Sequence, residues 1–537
     1  MTDPFDTAKK KLAAFAEEKE LKQKLIDFGD TAVQSALRGA LKLVSDKTIP
    51  YLNRYDNTGY LEGSGYFLSE PTPGAAWRAG FAKSSILPER VQGDLYLGGY
   101  LNFPPNKVSG YMTDLLVRAF AFDDGSDRGV HVFAVIDCIG ISNTDVRAIR
   151  GRLKPLIEEK NIVSVNISAT HCHSGVDTLG VWGDLTQALR KNPGAVKSRK
   201  TLPNAVSGRN PDFMAYLTET AAETIEAAVN GMQPGSLSWA KLDCADFVRD
   251  KRPPYVTDNN ITLLRFTPED TSEKKLMAVF MAAHPCCYGQ KHTLVSADFP
   301  LFICETLEKA GYEAAFFQGA QAAVAADRGK FVKDALTNHQ GIVNYGRSIA
   351  EYILSADEGV FQPVAPMLNV TVKETLIPAD NALLALLGKL HIVTNQLVKV
   401  TRGDDGKDYE LYFPTEIGLA EFGKSLTFAM IPGELMPEIA FGGTLDAEES
   451  YTGKAWDYPP LKTAAKGHFA VIGLCNDCIA YIVPDNDFGS VFAPLHYEEA
   501  VSAGRRTGSN IAGAFLRAAA AAEKTRIDPA SVKGAEE

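Results

Sequence analysis

Apolar residues follow two different patterns along the chain. Residues 6–46 read as helical: Ala, Leu, Lys and Glu dominate from Thr7 to Phe28, with apolar residues at Leu12, Phe15, Leu21, Leu25 and Ile26. Gly29-Asp30 interrupts this run and Thr31 to Val44 resumes it, so the spacing predicts a helical hairpin. Residues 47–76 lose periodicity and carry Asn, Gly, Ser and Pro, the composition of a linker or a surface-hugging loop. From Trp77 onward short, β-rich apolar runs alternate with helical patterns. Strands are predicted at Val130–Ile136, 162–167, Leu276–Ala283, Glu313–Phe317, Leu426–Ile431 and Phe469–Leu474. Helices are predicted at Val146–Glu159, Asp212–Asn230, Leu301–Ala310, Val343–Leu354 and Arg505–Ala522. The sum is an α/β fold of mixed sheets flanked by helices, with a helical N-terminal extension. A helical insertion is expected at Asn381–Val398, followed by a charged turn at Arg402–Asp408. Residues 176–210 form a long polar loop of the kind that serves as a lid.

Each predicted strand hands over, just past its last apolar residue, to a side chain with hydrogen-bonding or ligand chemistry. Val130–Ile136 ends at Asp137, Leu276–Ala283 at His284, Glu313–Phe317 at Gln318, and Leu426–Ile431 at Pro432-Gly433-Glu434. Phe469–Leu474 leads to Asn476 and Tyr481. Ligands in α/β sheets bind beyond the carboxyl ends of strands. The 162–167 run opens into Thr170-His171-Cys172-His173-Ser174-Gly175. On extended backbone residues i and i+2 share a face, so His171 and His173 are expected to reach one centre while Cys172 turns into the core. Each feature has a plainer reading. His284 before Pro285 suits a structural histidine, and Glu434 suits the start of a helix. Together, two histidines and a glutamate from separate strand ends make a ligand set for catalytic zinc with one open position. Zinc-activated water would be the nucleophile, and the remaining imidazole could move its proton.

Composition narrows the classes. The chain has 537 residues, 45% hydrophobic and 23% charged, with a formal net charge of −11. That balance fits a globular protein and argues against a nucleic-acid partner. No apolar run approaches the ~18 residues of a membrane span. Eight cysteines without a framework spacing, several inside apolar runs as at Cys138, Cys304 and Cys475, suit a reducing compartment. With an acidic start that lacks a signal pattern, a cytoplasmic location is expected. The N-terminal helices are candidates for homo-oligomer contacts.

Several blocks, in order, resemble the neutral (non-lysosomal) ceramidases and their bacterial relatives. They are Trp77–Lys83 with Ile86-Leu87-Pro88; Ser168–Gly175; Ala283-His284-Pro285 followed by Leu294–Asp298; Pro432-Gly433-Glu434; and Asn476–Tyr481 followed by His496-Tyr497-Glu498. The resemblance covers about Trp77 to Ala522. It suggests three parts: a helical extension and linker over 1–76, a ceramidase-like zinc hydrolase domain over 77–525, and a polar tail over 526–537. It implies that His171, His284, Glu434 and Tyr481 bind zinc, that His173 is the general base and then the acid, and that Tyr497 donates a hydrogen bond to the oxyanion. Asp137, Asp298 and Gln318 are candidates to contact the ligands from behind or to touch substrate.

Three departures from the family pattern stand out. The family's Gly-Asp-x-Ser/Asn-Pro segment is here Gln318-Gly319-Ala320-Gln321-Ala322-Ala323-Val324. Neither the C-terminal immunoglobulin-like domain of many members nor their secretion signal is expected from the residues at the two ends. The expectation is therefore a zinc-dependent amidohydrolase for a small, soluble amide, linear or cyclic, in place of long-chain ceramide. Two rivals share the altered loop as their motive. The same site could run acyl transfer or amide-forming cyclisation, or the scaffold could be a non-enzymatic binding protein.

Overall fold

The computed structural model describes Ile26 and residues 29–184, 207–329, 338–402 and 408–532. Among these residues a nine-stranded mixed sheet runs in the order Tyr312–Gln318, Lys275–Met281, Asn260–Pro268, Gln233–Asp243, Trp77–Ser85, Leu116–Asp123, Val130–Ile136, Ile162–Ala169, with Gln362–Val364 added beside Gln233–Asp243. The middle is antiparallel. The pairs at both edges are parallel: Tyr312–Gln318 with Lys275–Met281, and Val130–Ile136 with Ile162–Ala169. A second sheet has five strands among the described residues, in the order Leu368–Pro378, Tyr409–Phe422, Leu426–Met430, His468–Ile472, with Val398–Thr401 on Tyr409–Phe422.

Period-2 alternation sorts the side chains into layers. Phe120 and Phe122 face the second sheet, and Ala119 and Ala121, alternating with them, face the helices. The two sheets meet through aromatic residues, with Phe280 and Phe428 at 4.4 Å and Phe122 and Phe422 at 5.5 Å between ring centroids. Each such buried ring contributes on the order of 1.5–3 kcal/mol of burial free energy. The helices Asn143–Arg152, Pro211–Asn230, Phe299–Lys309 and Asn338–Leu354 cover the outer face of the large sheet. Thr507–Lys524 covers the outer face of the small one. The α/β expectation holds as a helix–sheet–sheet–helix stack.

Local differences have clear causes. The expected helix at Val146–Glu159 divides at Leu153 into Asn143–Arg152 and Lys154–Glu159, with Pro155 near the start of the second. The insertion forms a helix only at Ala382–Lys389, capped by the Asn381 side chain, and Val398 already belongs to a strand. His391, at φ 56°, turns the chain out of the helix. Residues 47–76 lie across the body: Gly63 N donates to Val163 O, Ser64 N to Val370 O, and Phe67 is buried in the small-sheet core. Of the expected N-terminal hairpin, 29–43 is helical, and the segment before it falls outside the described residues apart from Ile26. Most of the expected lid, 185–206, and the turn at 403–407 also fall outside them. All eight cysteines are unpaired, and all but Cys286 are buried. No helix among the described residues is long and apolar enough to cross a membrane.

Candidate metal centre and its pocket

The two parallel edges of the large sheet end at the same place. Ile162–Ala169 stops two residues before His171, and Lys275–Met281 stops three before His284. Glu434 begins a two-residue strand that pairs in parallel with Tyr481–Ile482, so Glu434 and Tyr481 are register partners. The four side chains converge. Glu434 Oε2 lies 3.1 Å from His171 Nε2 and 3.0 Å from His284 Nε2. Tyr481 Oη lies 3.4 Å from His284 Nε2, and His173 Nε2 lies 3.2 Å from His171 Nε2. The expected sharing of one strand face is not what brings His171 and His173 together. His171 has φ 66°, a left-handed conformation that histidine tolerates better than most residues, and the turn after it swings His173 back to the same centre. Cys172 between them is fully buried, as expected.

Hydrogen bonding fixes the tautomers. His171 Nδ1 sits 2.7 Å from Ile139 O, and His284 Nδ1 sits 2.9 Å from Gln321 O. A carbonyl oxygen only accepts, so both Nδ1 atoms carry a proton and both Nε2 atoms present lone pairs. Two bare nitrogens and a carboxylate oxygen at about 3 Å repel one another unless a proton or a cation lies between them. The ligand atoms of His171, His173 and His284 all lie within 4.8 Å of one another, so the group can hold a metal ion. Without metal, protons meet the same need. Burial works to lower the His171 pKa, but the Glu434 carboxylate outweighs it and the net shift is upward. Burial works to raise Glu434, and the two imidazoles outweigh that, holding its carboxyl far below the usual range. Burial, reinforced by the neighbouring imidazoles, pushes His173 well below its ordinary value.

Three further candidates lie behind the centre and hold backbone. Gln318 Oε1 accepts from Ala283 N at 3.0 Å, and its Nε2 donates to Ala283 O at 2.7 Å and Thr170 O at 3.2 Å. It thereby joins the residues preceding both histidines. Asp298 accepts from Cys287 N at 2.9 Å and Phe299 N at 2.7 Å, fixing the turn after His284-Pro285 and capping Phe299–Lys309. Asp298 itself has φ 58° and ψ −159°, a conformation rarely adopted by residues other than glycine. Asp137 pairs with the buried Arg118 at 3.0 Å and accepts from Leu116 N.

A cavity of about 570 Å³ opens from the centre. Leu179, Val181, Trp182, Leu384, Val393, Phe413 and Ile479 make most of its wall apolar. Tyr497 stands at its lip, half-exposed, its ring 6.0 Å from that of Tyr481 and nearly perpendicular to it. Sequence reasoning missed Gly99, Tyr100 and Lys251, which also line the cavity. The Tyr100 ring meets His173 edge-on at 5.0 Å, and its hydroxyl donates to Cys286 O. The Gly98-Gly99-Tyr100 run, two glycines after an apolar stretch, was the available signal of a close backbone approach.

No protein-family model and no curated protein sequence matches the chain. Solved structures do. A crystal structure of neutral ceramidase from Pseudomonas aeruginosa superposes with a TM-score of 0.61 at 15% identity, over 84% of this chain and 76% of that one. A second, of ceramidase complexed with C2, gives a TM-score of 0.61 at 16% identity with the same coverage. The block resemblance in the sequence and the superposition agree: the chain has a neutral-ceramidase-like fold.

Proposed function

We propose that the protein is a zinc-dependent hydrolase that cleaves a carbon–nitrogen amide bond. One observation carries this reading: His171 Nε2, His284 Nε2 and Glu434 Oε2 meet at 3.0–3.1 Å while both imidazoles spend their Nδ1 protons on carbonyls. Bound by His171, His284, Glu434 and Tyr481, zinc would polarise the amide carbonyl and make water a competent nucleophile near neutral pH. The chain's own groups do the rest. His173 faces the centre as a neutral imidazole, so it can take a proton from the attacking water and return it to the leaving amine. Burial, followed by the Glu498 carboxylate, raises the Tyr497 pKa, so its phenol stays protonated and can donate to the developing oxyanion. The ceramidases of similar fold act, by their name, on ceramide. For this chain the apolar cavity supports an amide carrying an apolar arm.

Metal content and product labelling test the reading together. About one zinc per chain is expected, lost in His284→Ala. The carboxylate formed from an N-acyl amide should carry label from isotopic water. Unlabelled product would move the reading to acyl transfer, and a well-folded protein that takes up no zinc would overturn the metal assignment.

A further inference from the structure

Among the described residues the wall of the cavity carries one lysine and no arginine. That residue, Lys251, follows the short strand Val248–Asp250, and its backbone amide donates to Ala323 O at 3.1 Å. Its neighbour Arg252 is buried and commits its guanidinium to Asp487, Glu498 and Glu499 at 2.8–3.1 Å. Asp250, on the other side, accepts from Arg252 N. The acids around this corner are thus engaged. Lys251 is exposed and makes no ion pair or side-chain hydrogen bond among the described residues. Its backbone is pinned while the residue lines the cavity with no ion-pair partner among the described residues. A net charge of −11 gives the whole chain no general attraction for anions, so this cation acts locally.

We propose that Lys251 is a specificity-determining residue that holds a carboxylate on the substrate. The amide would then place its apolar arm against Leu179, Trp182 and Phe413 and its carboxylate at the lip, as an N-acyl amino acid does. The assignment rests on the amidase reading for its substrate class, and on the cavity alone for its charge preference.

The test compares N-dodecanoylglycine with N-dodecanoylethanolamine, which share an acyl chain and differ in the carboxylate. Cleavage is measured with the zinc-loaded full chain, and binding by quenching of tryptophan fluorescence, since Trp182 lines the cavity. The wild type should favour the glycine amide about fivefold, mainly in KM, the size expected of one partly solvated charge pair. Lys251→Met should bring the ratio to about one, and Lys251→Glu should invert it. A ratio between two substrates cancels any general loss of folding or metal. No preference in the wild type, or a preference retained in Lys251→Met because the metal holds the carboxylate, overturns the proposal. Lys251-dependent binding preference without cleavage of either amide would sustain Lys251 and sink the amidase reading. Cleavage of both without preference would do the reverse. Failure to bind either amide would sink both.

Discussion

Gln318 closes on Ala283 with both ends of its amide, accepting from the Ala283 N–H at 3.0 Å and donating to the Ala283 carbonyl at 2.7 Å. The second proton of its amide goes to Thr170 O. Ala283 precedes His284 and Thr170 precedes His171, so one buried side chain sets the spacing of two imidazoles delivered from opposite ends of the strand order. Gln318→Leu would strand three backbone groups. At about 1–3 kcal/mol for a buried unpaired group, with partial relaxation, a net loss of roughly 2–4 kcal/mol is expected in denaturant melts. Zinc affinity should fall about 10- to 100-fold, as it does when groups orienting a metal ligand are removed. Gln318→Glu should fare little better, because an ionised carboxylate cannot donate to either carbonyl. Unchanged zinc affinity in both variants would show that the histidines are held by other contacts.

Gly99 lies against the ring of His173. A Cβ at this position would sit 2.6 Å from His173 Cγ and Nδ1, and the residue has φ 115°. Gly99→Ala therefore meets two penalties, a backbone strain of about 1–3 kcal/mol and a clash that only movement of the imidazole can relieve. Turnover should drop more than tenfold while zinc stays bound, because His173 is the proton carrier in the proposed mechanism and not one of its zinc ligands. Activity and metal content measured on one sample decide this. Loss of zinc alongside activity would place His173 among the ligands.

How much of this was legible in the chain depends on what each segment buries. Val130–Ile136 reads as a strand to the residue because all seven positions are apolar or buried against both layers. Tyr409–Phe422 does not, since it carries Glu416 and Glu421 into the interior, paired with Arg150 and Arg526. Those buried charges break the alternation that marks a strand. The Asn381–Val398 run misleads in the opposite way. Its apolar content continues to Val393, but the helix ends at Lys389 where tertiary packing takes over. The convergence of His171, His284 and Glu434 was readable because side chains just past strand ends gather at one place. Lys251 was not, because no periodicity marks the loop that brings it to the cavity, and the Gly98-Gly99 pair marked a close backbone approach without showing what it approaches.

Stability should depend on pH through Glu438. Burial, then Asp250 and Asp487, raise its pKa from 4.5 to about 8. A carboxyl with a higher pKa in the folded state than in the unfolded one binds its proton more tightly when folded. Its stabilising contribution is complete below about pH 4.5, declines as pH rises, and is lost above about pH 8. Glu438→Gln removes the titration. The variant should exceed the wild type at pH 9 by an amount on the order of 2–4 kcal/mol, and the gap should close by pH 5. Denaturant melts at the two pH values measure it, and a gap independent of pH would assign the effect to packing.

The lip that carries Tyr497 is tied down by one cation. Arg252 Nη1 lies 3.1 Å from Glu498 Oε2, and its Nη2 lies 2.8 Å from Glu499 Oε1 and 3.0 Å from Asp487 Oδ2. Glu498 and Glu499 are buried, and Glu498 adjoins Tyr497. Removing the guanidinium leaves carboxylates facing one another out of water, a loss of about 3–5 kcal/mol for a broken buried ion pair. Protonation of one or two of them would soften the loss at low pH. Arg252→Met should therefore be least stable above neutrality and recover in part near pH 5. Arg252→Lys keeps the charge but not the planar fork that reaches three acids at once, so it should fall between. If the network also positions the Tyr497 phenol, Arg252→Lys will lower kcat more than it raises KM, because the oxyanion contact exists only in the transition state. A change confined to stability, with kcat intact, would leave Arg252 a purely structural anchor and free Tyr497 from it.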